Sequence, residues 1–110
     1  MPDRTGRPAP DGGEFDLATE LGPLRERIDA IDARIVELLN ERAEIALEVG
    51  RLKDAAGGRA IRDPAREQEV IEHAREASAG LFPDEELVSL YRKLIAATRK
   101  VQTEQRQRGR

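Results

Sequence analysis

The feature that most constrains this chain is a stripe of apolar side chains between Leu24 and Leu52 that steps alternately by four and three residues. Leu24, Ile28, Ile31, Ile35 and Leu38 open it, and Ile45, Val49 and Leu52 continue it. At about 3.6 residues per turn, this spacing puts all of them on one face of a single long helix. One position breaks the pattern, because Arg42 stands where an apolar residue is due. Lys53 follows eleven positions later, which at about 100° per residue brings it within about 20° of Arg42 around the axis. Two cations therefore share a face that leans inward. Burying an unpaired ion costs on the order of several kcal/mol, so either an internal carboxylate or an anionic ligand must satisfy them.

The composition agrees with a helical fold. Charged residues make up 37% of the 110 residues, aromatics only 3%, and there is no Trp, so a core must be built from Leu, Ile, Val and Ala. No run of alternating β-branched residues argues for strands. A net charge of -3 argues against a protein that coats nucleic acid, since neutralising phosphates needs a basic face. With no cysteine, disulfides and thiolate metal sites are excluded. No apolar segment approaches the roughly 18 to 20 residues that span a bilayer. The first residues, MPDRTGRPAPDGGEFD, hold no hydrophobic stretch of the kind a secretory signal needs, so the expected compartment is the cytoplasm.

Local signals divide the chain. Residues 1–20 are expected to be a disordered extension, rich in Pro, Gly and charge up to about Asp16. Leu17 to Leu21 can extend the first helix, but Gly22-Pro23 reads as punctuation, with Pro23 at a first helical position. The first helix is then expected from Pro23 to Ala56, stopped by Gly57-Gly58. Such a helix is about 50 Å long at 1.5 Å per residue, against a radius of gyration near ~13 Å for a compact chain of this size. A homodimer that packs two such helices against each other is the simplest way to cover it. After a link at Arg59–Arg62, Asp63-Pro64 predicts an N-cap followed by Pro at N1. The second helix runs to about Ser78, and Gly80 ends it. The third opens at Pro83-Asp84-Glu85-Glu86, its carboxylates matched to the helix dipole. Its stripe is Leu87, Leu90, Tyr91, Leu94, Ile95, Thr98, Val101 and Gln102, and 106–110 reads as a frayed basic tail.

Several residues ask for chemistry, and each has a plainer account. Arg42 and Lys53 can be paired within a bundle or snorkel from apolar stems. Thr98 and Gln102, four apart on the inward side of the third helix, can be a satisfied polar pair. Asp63 and Glu67 can be a cap and a solvated helix-face carboxylate. Arg25 points roughly 100° away from Arg42 on the same helix, so in a dimer it serves the partner's site more easily than its own. His73, the one histidine, falls on a polar face of the second helix. Nothing in the chain forms a Ser-His-Asp or Cys-His set, an HExxH pattern or a glycine-rich phosphate loop. What remains is a reaction that cations and hydrogen-bond donors alone can promote.

Three segments, LRERIDAIDARIVELLNERAEIALEVGRLK, IRDPAREQEVI and FPDEELVSLYRKLIAATRKVQ, resemble in order the all-helical (AroQ) class of chorismate mutase, over 21–105. The resemblance includes the inward polar residues described above. It implies an all-α, three-helix protomer with one long N-terminal helix, intertwined with a second copy as a homodimer. It further implies that Arg42 and the partner copy's Arg25 bind the substrate carboxylates, and that Lys53 contacts a carboxylate and the ether oxygen. Gln102 would reach the ether oxygen from the other side. Glu67 and the backbone at Asp63 would hold the ring hydroxyl, Arg66 would support the site, and Thr98 stands where the family often has Ser.

The implied reaction is the Claisen rearrangement of chorismate to prephenate, on the path to phenylalanine and tyrosine, and it needs no cofactor. Rivals on the same scaffold are a mutase for 4-amino-4-deoxychorismate and an isochorismate pyruvate lyase. A rival of another class is a catalytically silent helical dimer that regulates a different shikimate-pathway enzyme; docking to such an enzyme is compatible with an active mutase too. A DNA-binding dimer is disfavoured by the acidic balance.

Overall fold

The structure is a computed structural model that describes residues 15–57 and 63–109. Among them are three helices and no strands: α1 (Leu17–Ala55), α2 (Pro64–Ala77) and α3 (Asp84–Arg108). The chain divides into two units, 1–39 and 40–110.

The first unit contains the N-terminal part of α1, and its start corrects an expectation. Gly22-Pro23 does not punctuate; the helix begins at Leu17 and Pro23 lies inside it. Asp16 supplies the reason. Its carboxylate accepts from the Thr19 hydroxyl at 2.6 Å, and its carbonyl accepts from the Glu20 amide at 3.1 Å. A start set there is already past its first turn at Pro23. Proline's fixed φ is helical, so what is lost is the bond its missing N–H would have made to the Thr19 carbonyl. The disordered extension expected for 1–20 is thereby corrected at 17–20, while 1–14 lies outside the described residues. Leu24, Ile28, Ile31 and Ile35 are 50%, 56%, 60% and 48% exposed in the single chain. Four aliphatic side chains on one stripe are left in contact with solvent.

The second unit contains the rest of α1 with α2 and α3. α1 ends where expected, with Gly57 in the left-handed conformation (φ 85°) and its amide on the Asp54 carbonyl. Gly58 and the link at 59–62 lie outside the described residues. Asp63 caps α2 by accepting from the Arg66 amide at 3.2 Å, with Pro64 in the first turn. At the other end Ser78, not Gly80, is the cap. Its extended backbone turns its N–H back onto the carbonyls of Ala74 and Arg75.

α2 and α3 form an antiparallel pair. Arg99 on α3 meets Glu67 near the start of α2, and Arg75 near the end of α2 meets Asp84 at the start of α3. Between these pairs lie Ile71 and Ile95, 5% and 8% exposed, the buried apolar core among the described residues. Leu90, expected on the inward stripe of α3, is exposed. The frayed tail expected at 106–110 is also corrected, because α3 continues to Arg108. Arg106 holds it there with a forked contact to Asp54, Nη2 to Oδ1 at 2.6 Å and Nε to Oδ2 at 3.3 Å.

Candidate functional site

Two hydrogen bonds join the C-terminal half of α1 to α3. Arg42 Nη1 donates to Thr98 Oγ1 at 2.9 Å, and Gln102 Nε2 donates to the Ala46 carbonyl at 2.8 Å. Each links residues 56 positions apart in sequence. Contacts that advance together along both helices mean that the two run in the same direction. The i, i+4 spacing of Arg42 and Ala46 is matched by that of Thr98 and Gln102, so one register serves both bonds.

The first bond answers the question posed by Arg42. Its partner is a hydroxyl and not a carboxylate, so the guanidinium keeps its full charge and the rest of its five N–H donors. Thr98 is occupied in both senses, accepting from Arg42 and donating to the Leu94 carbonyl at 2.8 Å. Its proton is turned back into α3, and in this state the hydroxyl orients Arg42. Gln102 differs in having two amide protons. One is on the Ala46 carbonyl, and the other remains for a ligand.

Gly50 is what lets Gln102 lie so close to α1. A Cβ built there would stand 3.8 Å from Gln102 Nε2 and 3.9 Å from its Cγ, which leaves room for a methyl group and little more.

On its other flank α3 lines a groove of about 300 Å³ with α2, bounded by Pro64, Glu67, Ile71, Arg92, Ile95 and Arg99. Arg99 Nη1 and Glu67 Oε2 are 2.6 Å apart, with side chains 27% and 21% exposed. The pair is partly withdrawn from water, where a charge-assisted bond is strongest for its geometry.

The remaining sequence candidates are placed more openly. Lys53 is exposed in the last turn of α1, next to the Asp54 that Arg106 holds. Arg66 is exposed and pairs with Glu69 at 3.1 Å. Asp63 serves as the α2 cap. Arg25 is exposed and belongs to the first unit. His73 is exposed on α2. Thus Arg42, Thr98, Gln102, Glu67, Asp63, Arg66 and Lys53 all belong to one unit, and the first three are joined or aligned by direct hydrogen bonds.

Arg99 was not singled out by the sequence, and neither were Gly50 or Arg106. Arg99 carries a signal in principle, since it follows Thr98 on a helix with two inward polar positions, but in sequence it is one more cation in an arginine-rich segment. Among the described residues no group of three or more His, Asp or Glu side chains could hold a metal ion.

In structure the chain is an all-helical protein whose third helix gathers cations, an amide and a carboxylate from its two neighbours. Comparison with known proteins gives this class a family. The description of chorismate mutase type II matches residues 24–103, and the chain belongs to that family. It is 44% identical over 82 residues to the bifunctional chorismate mutase/prephenate dehydratase of Aquifex aeolicus, covering 71% of this chain and 22% of that protein. It is 40% identical over 63 residues to the intracellular chorismate mutase of Mycobacterium tuberculosis, covering 57% of this chain and 59% of that one. Among solved structures it resembles chorismate mutase (form II) from Thermus thermophilus, with a TM-score of 0.73 and 30% identity over 78% of this chain and 97% of that one. The chain spans about a fifth of the length of the bifunctional relatives it matches.

Proposed function

We propose that this chain rearranges chorismate to prephenate as a homodimer. The observation that carries the reading is the polar set on the α1–α3 interface: an arginine oriented by a threonine, and an amide anchored with one proton to spare. A scaffold with no ligand has no use for a full guanidinium charge on its inward stripe, since an aliphatic residue would pack there at less cost.

The reaction is unimolecular. A C–O bond of the ether breaks as a C–C bond forms, with no proton or electron supplied from outside. The protein need only hold a flexible dianion in its compact shape and stabilise charge that develops on the ether oxygen. Arg42 offers a planar fork to one carboxylate. The second proton of the Gln102 amide and the ammonium of Lys53 converge on the ether oxygen, and Glu67 accepts from the ring hydroxyl. Asp63 and Arg66 support this end of the site, and Thr98 fixes the arginine.

A second copy completes the assembly. The exposed stripe of α1 is what it covers, and it supplies its own Arg25 to the other carboxylate. The small buried core of the single chain supports this, because two buried isoleucines leave most of the apolar surface to be covered by association. No helix among the described residues is long and apolar enough to cross a membrane, and we place the reaction in the cytoplasm.

The test follows chorismate loss and prephenate formation with the purified chain. Arg42→Ala and Lys53→Ala should each lower kcat/KM by at least a hundredfold. Ile31→Glu together with Ile35→Glu should convert a dimer, measured by sedimentation, into monomer with no activity. Full activity in a monomer, or no turnover by the wild-type chain, would overturn the proposal.

A further inference from the structure

The Glu67–Arg99 contact bears on which ring substituent the site accepts, a question that rests on the chorismate mutase reading above. Glu67 is the carboxylate assigned there to the ring, and by itself it would favour a protonated amine at least as well as a hydroxyl. It is not by itself. The Arg99 guanidinium lies 2.6 Å from one of its oxygens, and both side chains are mostly withdrawn from solvent. A carboxylate has acceptor positions for about four hydrogen bonds, so the contact leaves Glu67 able to accept from a ligand while cancelling its charge.

Arg99 does not hold this place by chance of surface packing. It follows Thr98 on α3 and, at about 100° per residue, faces the α2 side while Thr98 faces α1. Arg92, seven residues earlier, lines the same α2–α3 groove. The end of the site occupied by Glu67 is therefore flanked by two guanidinium groups and one carboxylate, and its balance is positive. A neutral hydroxyl donating to Glu67 meets no penalty there. An ammonium group placed within hydrogen-bond reach of Glu67 would stand about 5 Å from the Arg99 guanidinium, close enough for like charges to repel in a partly dry groove.

We propose that Arg99 is a specificity-determining residue: by neutralising Glu67 it makes the site select a ring hydroxyl over a ring amine. The selectivity is built from repulsion of the wrong substrate as much as from attraction of the right one. An aliphatic or amide side chain at this position would leave Glu67 as an uncompensated anion, which is the environment an ammonium group wants.

The experiment compares kcat/KM for chorismate and for 4-amino-4-deoxychorismate in the wild-type chain, Arg99→Gln and Arg99→Lys, each checked for helicity and dimer content. The wild-type chain should prefer chorismate, Arg99→Gln should lower that preference at least tenfold, and Arg99→Lys, which keeps the charge, should stay within about threefold of wild type. A purely structural role would depress both substrates equally and leave the ratio unmoved. Such an unmoved ratio in Arg99→Gln, with wild type active on chorismate, overturns the role of Arg99 alone. A wild-type chain inert toward chorismate overturns the mutase reading and this inference with it.

Discussion

Thr98→Val isolates the contribution of a single hydrogen bond to substrate binding. The valine methyl fills the volume of the hydroxyl, so packing against α1 is nearly kept, and what disappears is the acceptor that Arg42 Nη1 uses at 2.9 Å. A bond from a charged donor is worth about 1.5–3 kcal/mol when dry. Both side chains here are part-buried, so water recovers some of that and the expected loss is at the lower end, about 1–1.5 kcal/mol. The bond from Thr98 to the Leu94 carbonyl adds little, because such i−4 back-bonds contribute weakly to helix stability. If the hydroxyl matters because it orients the guanidinium, the loss falls on the bound substrate. With 1.4 kcal/mol equal to about tenfold, kcat/KM for chorismate should fall roughly five- to tenfold. Thr98→Ser should restore it. The assay is steady-state loss of chorismate, alongside thermal unfolding of each variant. A Thr98→Val chain within twofold of wild type in kcat/KM would refute the idea that Thr98 positions Arg42.

Gln102→Glu replaces a donor facing the Ala46 carbonyl, 2.8 Å away, with a group that can donate there only when protonated. The carbonyl disfavours the ionised form, so the folded-state pKa rises above its unfolded value; stability and activity are present in acid and lost as pH rises through that folded value, and wild-type activity at pH 8 would contradict this. Gly50→Ala adds a methyl at ordinary contact distance from Gln102 and removes backbone entropy from the unfolded chain, so it should stabilise by about 0.5–1 kcal/mol and raise Tm by a few degrees with activity kept; a lower Tm would show that the α1–α3 approach is tighter than its geometry indicates. Asp16 is held below the usual carboxylate range, chiefly by the Thr19 hydroxyl and then by the Thr19 backbone amide. Its cap is therefore in place above the ordinary carboxylate value and is lost as pH falls through the depressed one, so the amide of Glu20 should lose hydrogen-exchange protection in acid, and an Asp16→Ala chain should show no such step.

Much of the fold was legible because it is written at short range. The four-and-three spacing of Leu24 to Leu52 specifies a helix by periodicity alone, and Asp63-Pro64 and Gly57 mark ends through the backbone chemistry of single residues. Arg42 stood out for the same reason, as a charge in an apolar register. The failures are equally local in origin. Gly22-Pro23 looks like a stop in any window centred on it, yet Asp16, six residues earlier, had already started the helix. Gln105 to Arg108 look like a solvated tail because Asp54, the residue that fixes Arg106, is 52 positions away.

By itself the sequence determined an all-helical chain, the faces its helices present and the presence of cations among apolar neighbours, since periods, caps and charges are properties of residues a few positions apart. Only the tertiary structure decided what those polar groups touch. Arg42 is held by a hydroxyl 56 positions away, which keeps its charge available, while Glu67 is held by Arg99, 32 positions away, which cancels it. Two charged groups that look alike in sequence thus have opposite electrostatic fates, because a charge depends on its neighbours in space and helix packing alone chooses them.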